Sequence, residues 1–331
     1  VSPPHASLHG LLVVDKPGLP ADPEPGTSYD LPTSHDVVQR VRRWSGQRRI
    51  GHAGTLDPFA SGVLVLCLGV ATRLAEYYTG HDKVYRAHVR LGTATETYDP
   101  LGRVVETCPL PELDEARIRS VLAGFLGPQE QVPPAFSAIR QGGERLYHKA
   151  RRGETVQVKP RRITVHRLEL LELLPPDRLH IRVHCSAGTY VRSLAHDLGR
   201  ALDSCAHLSY LRREAAGPFQ VGQAHTLDTI REAAQAGRLP ELLLPLGTGL
   251  HLPRLELDPE TARRLGQGQR VPIEAAALLD PVRPRRRDRL QGLDLQGRLR
   301  GILQVLDVRD DGTLLCKAEK WLVYPGTQAT P

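Results

Sequence analysis

The longest unbroken apolar run in the chain is Gly62-Val-Leu-Val-Leu-Cys-Leu-Gly69. Closed by glycine at both ends, it has the length of one buried strand. It falls far short of the ~20 residues that cross a bilayer as a helix. The chain as a whole has 331 residues, 40% apolar and 24% charged, which permits a packed core and argues against wholesale disorder. That length suggests two domains, or one large domain with an appendage. The segment Val1 to Gly10 has no basic start and no signal-like apolar stretch. Five cysteines, at 67, 108, 185, 205 and 316, form no CxxC pair and no metal spacing. An odd, scattered set argues for a reducing interior, against a disulfide frame and against a zinc site. The expectation is a soluble cytoplasmic protein with no membrane partner and no metal.

The basic charge is clustered. The net charge is +7, and residues 140 to 167 hold nine Lys or Arg against two Glu. Arg40, Arg42, Arg43, Arg48 and Arg49 form a second cluster. Arg283, Arg285, Arg286, Arg287 and Arg289 form a third, offset by Asp288. One such cluster is as well explained by a solvated face. Three together point to a polyphosphate partner, hence nucleic acid.

Periodicity outlines the elements. Leu8 to Val14 reads as a strand running into the turn Asp15-Lys16-Pro17-Gly18, and Leu19 to Pro32, with its prolines, as a loop. Thr33-Ser34-His35-Asp36 caps a helix carrying Val37, Val38, Val41 and Trp44. Gly51 to Ser61 reads as a punctuated loop before the buried strand at 62 to 69. Helical spacing covers 72 to 78, 112 to 126, 189 to 202 and 226 to 237. Strands are expected at 84 to 91, 155 to 158, 162 to 174 and 178 to 185, with a strand pair or loop at 208 to 213 and 217 to 221. The Leu/Pro/Gly-rich stretch 239 to 253 reads as a domain boundary. A small β-rich module follows it, with a helix at 259 to 265 and strands near 301 to 307 and 314 to 318.

The segment Gly51-His-Ala-Gly-Thr-Leu-Asp57-Pro-Phe-Ala-Ser-Gly62 can present one carboxylate from a tight loop on a rigid edge. Composition alone favours the plainer role of an Asp capping a turn. The loop has neither GxxxxGK nor GxGxxG, so it is not a phosphate cradle. His52 reads as a turn or core histidine or as a contact residue. Tyr85 opens a strand and fits the core or a site. Tyr190 and Arg192 fall at a strand-to-helix turn, where an Arg pairs with a buried carboxylate or with phosphate. Spacing does not pair Arg192 with Asp57.

These residues stand in a recognisable order: Asp15-Lys16-Pro17-Gly18, Thr33-Ser-His-Asp-Val-Val38, Gly51 through Leu64, Asp82-Lys83-Val84-Tyr85, Gln131-Val-Pro-Pro-Ala-Phe-Ser-Ala138, Cys185-Ser-Ala-Gly-Thr-Tyr190-Val-Arg192-Ser-Leu, and Ala206-His-Leu-Ser-Tyr-Leu211-Arg-Arg213. From Gly10 to Phe219 the chain resembles the TruB family of pseudouridine synthases, the bacterial enzymes of tRNA uridine 55. The resemblance implies an α+β catalytic domain on a mixed, mainly antiparallel sheet, residues 1–249, with a PUA-like RNA-binding β domain at 250–331. It implies Asp57 as nucleophile or general catalyst, Tyr85 stacked on the target base, and Arg192 in a salt bridge with Asp57. Tyr190 and Leu211 would line the uracil pocket, His52 would hold the flipped-out RNA, and Lys16 would belong to a supporting motif beside the site. Residues 131–153, with Arg145, Lys149, Arg151 and Arg152, match an RNA-gripping insertion for the tRNA T stem-loop. Residues 19–32 are an insertion relative to the family, and the Arg-rich piece 283–289 interrupts the PUA pattern.

The implied reaction breaks the bond from C1′ to N1 of uridine, turns the base and joins C1′ to C5. Nothing is oxidised or transferred, so no cofactor is called for, and no obligate protein partner. Attack on C1′, attack on the base and removal of a ribose proton all need an ionised Asp57. Extruding the base costs a few kcal/mol, of which stacking on Tyr85 returns ~1–3 kcal/mol. A non-catalytic RNA-binding or tRNA-folding protein would use the same basic surface, but has no need of a carboxylate in a phosphate-lined cleft. A related synthase acting on ribosomal or guide-directed RNA is the other alternative, and the 131–153 insertion favours stand-alone tRNA recognition. A glycosidase would need a second carboxylate.

Overall fold

The structure, a computed structural model, describes residues 7–22, 28–112, 114–136, 140–141, 144–145 and 158–324, with backbone alone at 140–141 and 144–145. The first half runs β1 (Gly10–Lys16), α1 (Ser34–Ser45), β2 (Ile50–Ala53), β3 (Ser61–Leu68), a 3-10 turn (Gly69–Leu74), α2 (Ala75–Thr79), β4 (Lys83–Leu91), β5 (Thr93–Thr95), β6 (Val104–Thr107), α3 (Glu115–Ala123) and β7 (Gly127–Gln131). It continues with β8 (Arg140–Gln141), β9 (Glu144–Arg145), β10 (Arg161–Leu174), β11 (Arg178–Cys185), α4 (Val191–Ala201), β12 (Ala206–Ala216), β13 (Phe219–Gln220) and α5 (Leu227–Gln235). The C-terminal part holds β14 (Arg254–Leu257), α6 (Pro259–Gly266), β15 (Arg270–Ile273), β16 (Arg289–Asp294), β17 (Leu299–Val308) and β18 (Leu314–Trp321).

A nine-stranded sheet runs β1-β3-β12-β4-β11-β10-β7, with β2 added on β3 and β13 on β12. Among the described residues its one parallel pairing is β12 with β3, so the sheet is mixed and mainly antiparallel, as expected. The C-terminal sheet is five-stranded, β14-β16-β17-β18-β15.

Every residue of β3 is buried. Leu64, Leu66 and Leu68 face the core shared with α1, α4 and α5. Val63, Val65 and Cys67 face a second core that includes Leu299, Ile302 and Leu322 of the C-terminal part. Burial on both faces is why this strand reads as a continuous apolar run and not as an alternating one. The C-terminal unit thus shares an apolar cluster with β1 and β3, besides its own core around Leu255, Leu265, Val271 and Leu303.

Several expectations need correction. Gly51 to Ser61 is not all loop: residues 50–53 pair with β3, Ile50 opposite Leu68 and Ala53 opposite Val65, because a hairpin partner overrides the glycine punctuation. The pair at 208–213 and 217–221 resolves into β12, longer than expected, and the short β13. The helix at 112–126 shrinks to α3, capped by the Asp114 side chain and ending at Gly124. Within the strand expected at 155–158, residues 155–157 lie outside the described residues. The scattered cysteines do not all stay free: Cys108 and Cys205 are bonded, with Cα atoms 5.7 Å apart. Gly92 explains it: its amide donates to the Cys205 carbonyl and its own carbonyl accepts from the Cys108 amide, so the two chain segments meet at the end of β4. Cys67, Cys185 and Cys316 are free and buried. Among the described residues, no helix is long and apolar enough to cross a membrane.

Candidate active site

The hairpin β2–β3 carries Asp57 on the loop between its strands, and this loop is fastened on several sides. The Ser34 hydroxyl, in the first turn of α1, accepts from the Leu56 amide at 2.8 Å and donates to the Leu56 carbonyl at 3.1 Å. Thr33 and Asp36 form a capping box that fixes this end of α1. The Arg213 guanidinium on β12 donates to the carbonyls of Gly54, Thr55 and Val63. Lys16 Nζ donates to those of Pro17, Pro58 and Ala60 at 2.7–2.9 Å. Gly62 permits the close approach to β12: at φ 102°, a Cβ there would stand 2.2 Å from the Arg213 carbonyl oxygen. Leu56, Phe59 and Ala60 are buried, so the loop is a rigid mount, and the Asp57 side chain stays 29% exposed.

Arg192 rises from the first turn of α4 with its side chain only 5% exposed. Its Nη2 donates to Asp57 Oδ1 at 3.0 Å and to the Phe136 carbonyl at 3.1 Å. Its Nη1 donates to the Thr97 carbonyl at 2.9 Å and to Asp99 Oδ2 at 3.3 Å. One guanidinium therefore joins a half-open carboxylate to a buried one. Burial raises the pKa of Asp99, and the Arg192 charge opposes that rise. Such an arrangement fixes the orientation of the Asp57 carboxylate.

Tyr85 lies on β4 opposite Arg213, and Leu211 lies on β12 opposite Ala87. Tyr85, Ala87 and Leu211 belong to the core on one side of the sheet. Burial raises the Tyr85 pKa, and the Arg213 charge opposes that rise. Tyr190 is the residue preceding α4. Gln131 brackets it, accepting from its amide at 2.8 Å and donating to its carbonyl at 3.0 Å. The Arg161 guanidinium lies 5.7 Å from its ring centroid. His52 is half-buried on β2. Arg145 is described as backbone in β9, paired with Arg140. Lys149, Arg151 and Arg152 lie outside the described residues.

Lys16 is buried against the loop that carries Asp57. With its protons donated to three carbonyls, it supports that loop. Nothing in the sequence marks Asp99 as part of the site, and Gln131, the first residue of a family-like motif, carries no sign there of its bonds to Tyr190. Asp99 sits in Thr97-Tyr-Asp99-Pro-Leu-Gly, which looks like a turn and is one: its Oδ1 accepts from Thr97 Oγ1 and from the Leu101 amide. Only the fold sets its second oxygen against Arg192.

Lys16 and Lys83 have their pKa lowered from 10.5 to about 8, chiefly by burial. Above about pH 8 a neutral Lys16 has two protons for three carbonyls, and the loop loses a tie. Between about 8 and 10.5 the unfolded chain binds more protons than the folded one. The contribution of these two lysines to stability therefore rises with pH in that window. The expected result is a single-turnover rate that declines with a midpoint near pH 8, with no loss of stability caused by these lysines. Parallel rate and thermal-melting measurements check it. A rate unchanged to about pH 10 would detach Lys16 from the loop's function.

The chain is similar to known proteins over most of its length. The family described as "TruB family pseudouridylate synthase (N terminal domain)" matches residues 42–191. The "tRNA pseudouridylate synthase B C-terminal domain" matches residues 192–251. The tRNA pseudouridine synthase B of Symbiobacterium thermophilum is 49% identical over 238 residues, 71% of this chain and 78% of that one. That of Syntrophotalea carbinolica is 43% identical over 277 residues, 83% of this chain and 85% of that one. A crystal structure of a Cbf5-Nop10-Gar1 complex has a similar chain, with TM-score 0.71, 25% identity and coverage of 96% of this chain and 85% of that one. Matched on adjoining spans by both family models, and this similar to such relatives over most of its length, the chain belongs to the TruB family of pseudouridine synthases.

Proposed function

We propose that Asp57, fixed by Arg192, is the group that carries the family's reaction in this chain, the isomerisation of uridine 55 in the T arm of tRNA to pseudouridine. The observation that supports it most is the asymmetry of the pair: the Arg192 side chain is 5% exposed and the Asp57 side chain 29%. The cation is committed to the protein, while the carboxylate keeps an open side toward an incoming nucleoside. Uridine and its product have the same atoms and oxidation level, so the balance closes with one proton leaving C5 and one arriving at N1.

In this reading Tyr85 is the stacking surface for the extruded base, Tyr190 and Leu211 wall the uracil pocket, and His52 holds the opened RNA. The five-stranded C-terminal sheet with α6 supports a PUA-like module from about residue 250 that adds contacts to tRNA, and tRNA as substrate supports a cytoplasmic location. Mapping pseudouridine in tRNA lacking the modification, after incubation with the pure protein, tests the whole reading. The product should appear at position 55, and its absence there, with the protein folded and tRNA bound, would overturn it.

The segment 131–153 is read as the grip on the T arm. Neutralising Arg145, Lys149, Arg151 and Arg152 together should weaken tRNA binding and lower the log–log salt slope. Each phosphate left without its cation means about 0.7–0.9 fewer counterions released on binding. Titrations at several salt concentrations measure this. An unchanged slope would make the segment a solvated face.

A further inference from the structure

Besides the Asp57–Arg192 pair, three side chains with metal-binding atoms converge on the sheet. Asp82 stands immediately before β4, His184 is on β11 opposite Val84, and His166 is on β10. These strands are neighbours in the order β4-β11-β10. His166 owes its position to a bulge, since the register passes from Val165 opposite Cys185 to Arg167 opposite His184 and leaves His166 as the extra residue. Burial records the same shift: Ile163 and Val165 face the core before the bulge, Leu168 and Leu170 after it. The two imidazoles come to lie 4.9 Å apart between centroids, tilted by 48°. Asp82 Oδ2 is 3.2 Å from His166 Nε2 and 3.8 Å from His184 Nε2. One ligand atom from each residue lies within 4.8 Å of the other two.

We infer that Asp82, His166 and His184 form a binding site for one divalent transition-metal ion of the Zn²⁺, Co²⁺ or Ni²⁺ class. Two imidazoles and one carboxylate suit these ions, whereas Mg²⁺ and Ca²⁺ take oxygen ligands. A carboxylate that merely accepted hydrogen bonds from both rings would sit within hydrogen-bond reach of both, and 3.8 Å to His184 is too long for that. The three side chains are 37–47% exposed, so they have room to close on an ion at about 2.0–2.2 Å, with water in the remaining positions. The ion would clip β4, β11 and β10 together, close in sequence to Tyr85. Because the unfolded chain does not assemble the trio, binding stabilises the folded protein.

Full-length protein without an affinity tag should bind one Co²⁺ per chain in calorimetry, with the visible absorption of histidine-ligated cobalt. Zn²⁺ should raise its melting temperature, and Mg²⁺ should not. Asp82→Asn, His166→Gln and His184→Gln should each weaken Co²⁺ binding by roughly 100-fold and remove the Zn²⁺ melting shift. Metal-free melting of each variant verifies that it is folded. Absence of saturable Co²⁺ binding to the wild-type protein would overturn the inference. So would binding that survives all three substitutions, which would put the ion on other histidines.

Discussion

Asp57→Asn is expected to reduce pseudouridine formation by at least ~10⁴-fold in single-turnover assays while tRNA affinity holds or rises slightly. The amide keeps the shape of the carboxylate and loses both its charge and its nucleophilic oxygen. A residue that only capped a turn would tolerate the change, because Asn caps as well as Asp. Loss of stability should be small, about 1 kcal/mol or less. Asp57 is partly exposed, and Arg192 keeps Asp99, Thr97 and Phe136 as partners. With the Asp57 charge gone and the buried Arg192 charge kept, repulsion of RNA phosphate at the site falls. Normal turnover by the variant would remove Asp57 from the chemistry. Binding that fell in step with activity would make the loop structural.

Arg192→Met should be more damaging to the fold. It strips the cation from two carboxylates at once, and the Asp99 side chain is only 8% exposed. An uncompensated buried charge costs ~3–5 kcal/mol, so a fall of this order in unfolding free energy is expected. The rate should fall by ~10²–10⁴-fold, since Asp57 loses its orientation. The sign of the pH dependence follows from Asp99, whose pKa is already raised by burial and opposed only by Arg192 and local hydrogen bonds. Without Arg192 the folded pKa rises further above the unfolded value. The folded variant then binds more protons than the unfolded chain, and its stability recovers as pH falls through the raised pKa toward the ordinary carboxylate range. Adding Asp99→Leu to Arg192→Met should restore stability, because a buried pair can be replaced by apolar groups at little cost. Activity should stay lost. Recovery of both would mean that Arg192 serves the fold alone.

The two substitutions together separate a carboxylate that acts from a cation that positions it, and Asp99 from both. That division is only partly legible along the chain. The punctuated loop around Asp57 is legible from neighbours in sequence but by itself favours a turn cap, and Asp57 stands out only through the ordered motifs of the family resemblance. The cap of α1 is legible from neighbours in sequence, since Thr33 and Asp36 satisfy each other's backbone within one turn. Lys16 looks like a turn residue beside Pro17 and Gly18. Its burial follows from β1 lying against β3, which sets its ammonium under Pro58 and Ala60.

What the sequence determined by itself is local: the both-faces-buried strand 62–69, the alternation of 178–185, the helix starts at Thr33 and Thr226, and, through ordered motifs, the family. What only the tertiary structure decided is long-range. The pairing of Arg192 with Asp57 spans 135 residues and that with Asp99 spans 93. The Cys108–Cys205 bridge spans 97, and the Asp82–His166–His184 trio requires three adjacent strands and a bulge. Helix periodicity and turn chemistry are written in residues a few positions apart, where backbone geometry fixes who meets whom. Contacts across a sheet depend instead on strand order and register. These are set by the packing of the whole apolar core, and no spacing along the chain encodes them.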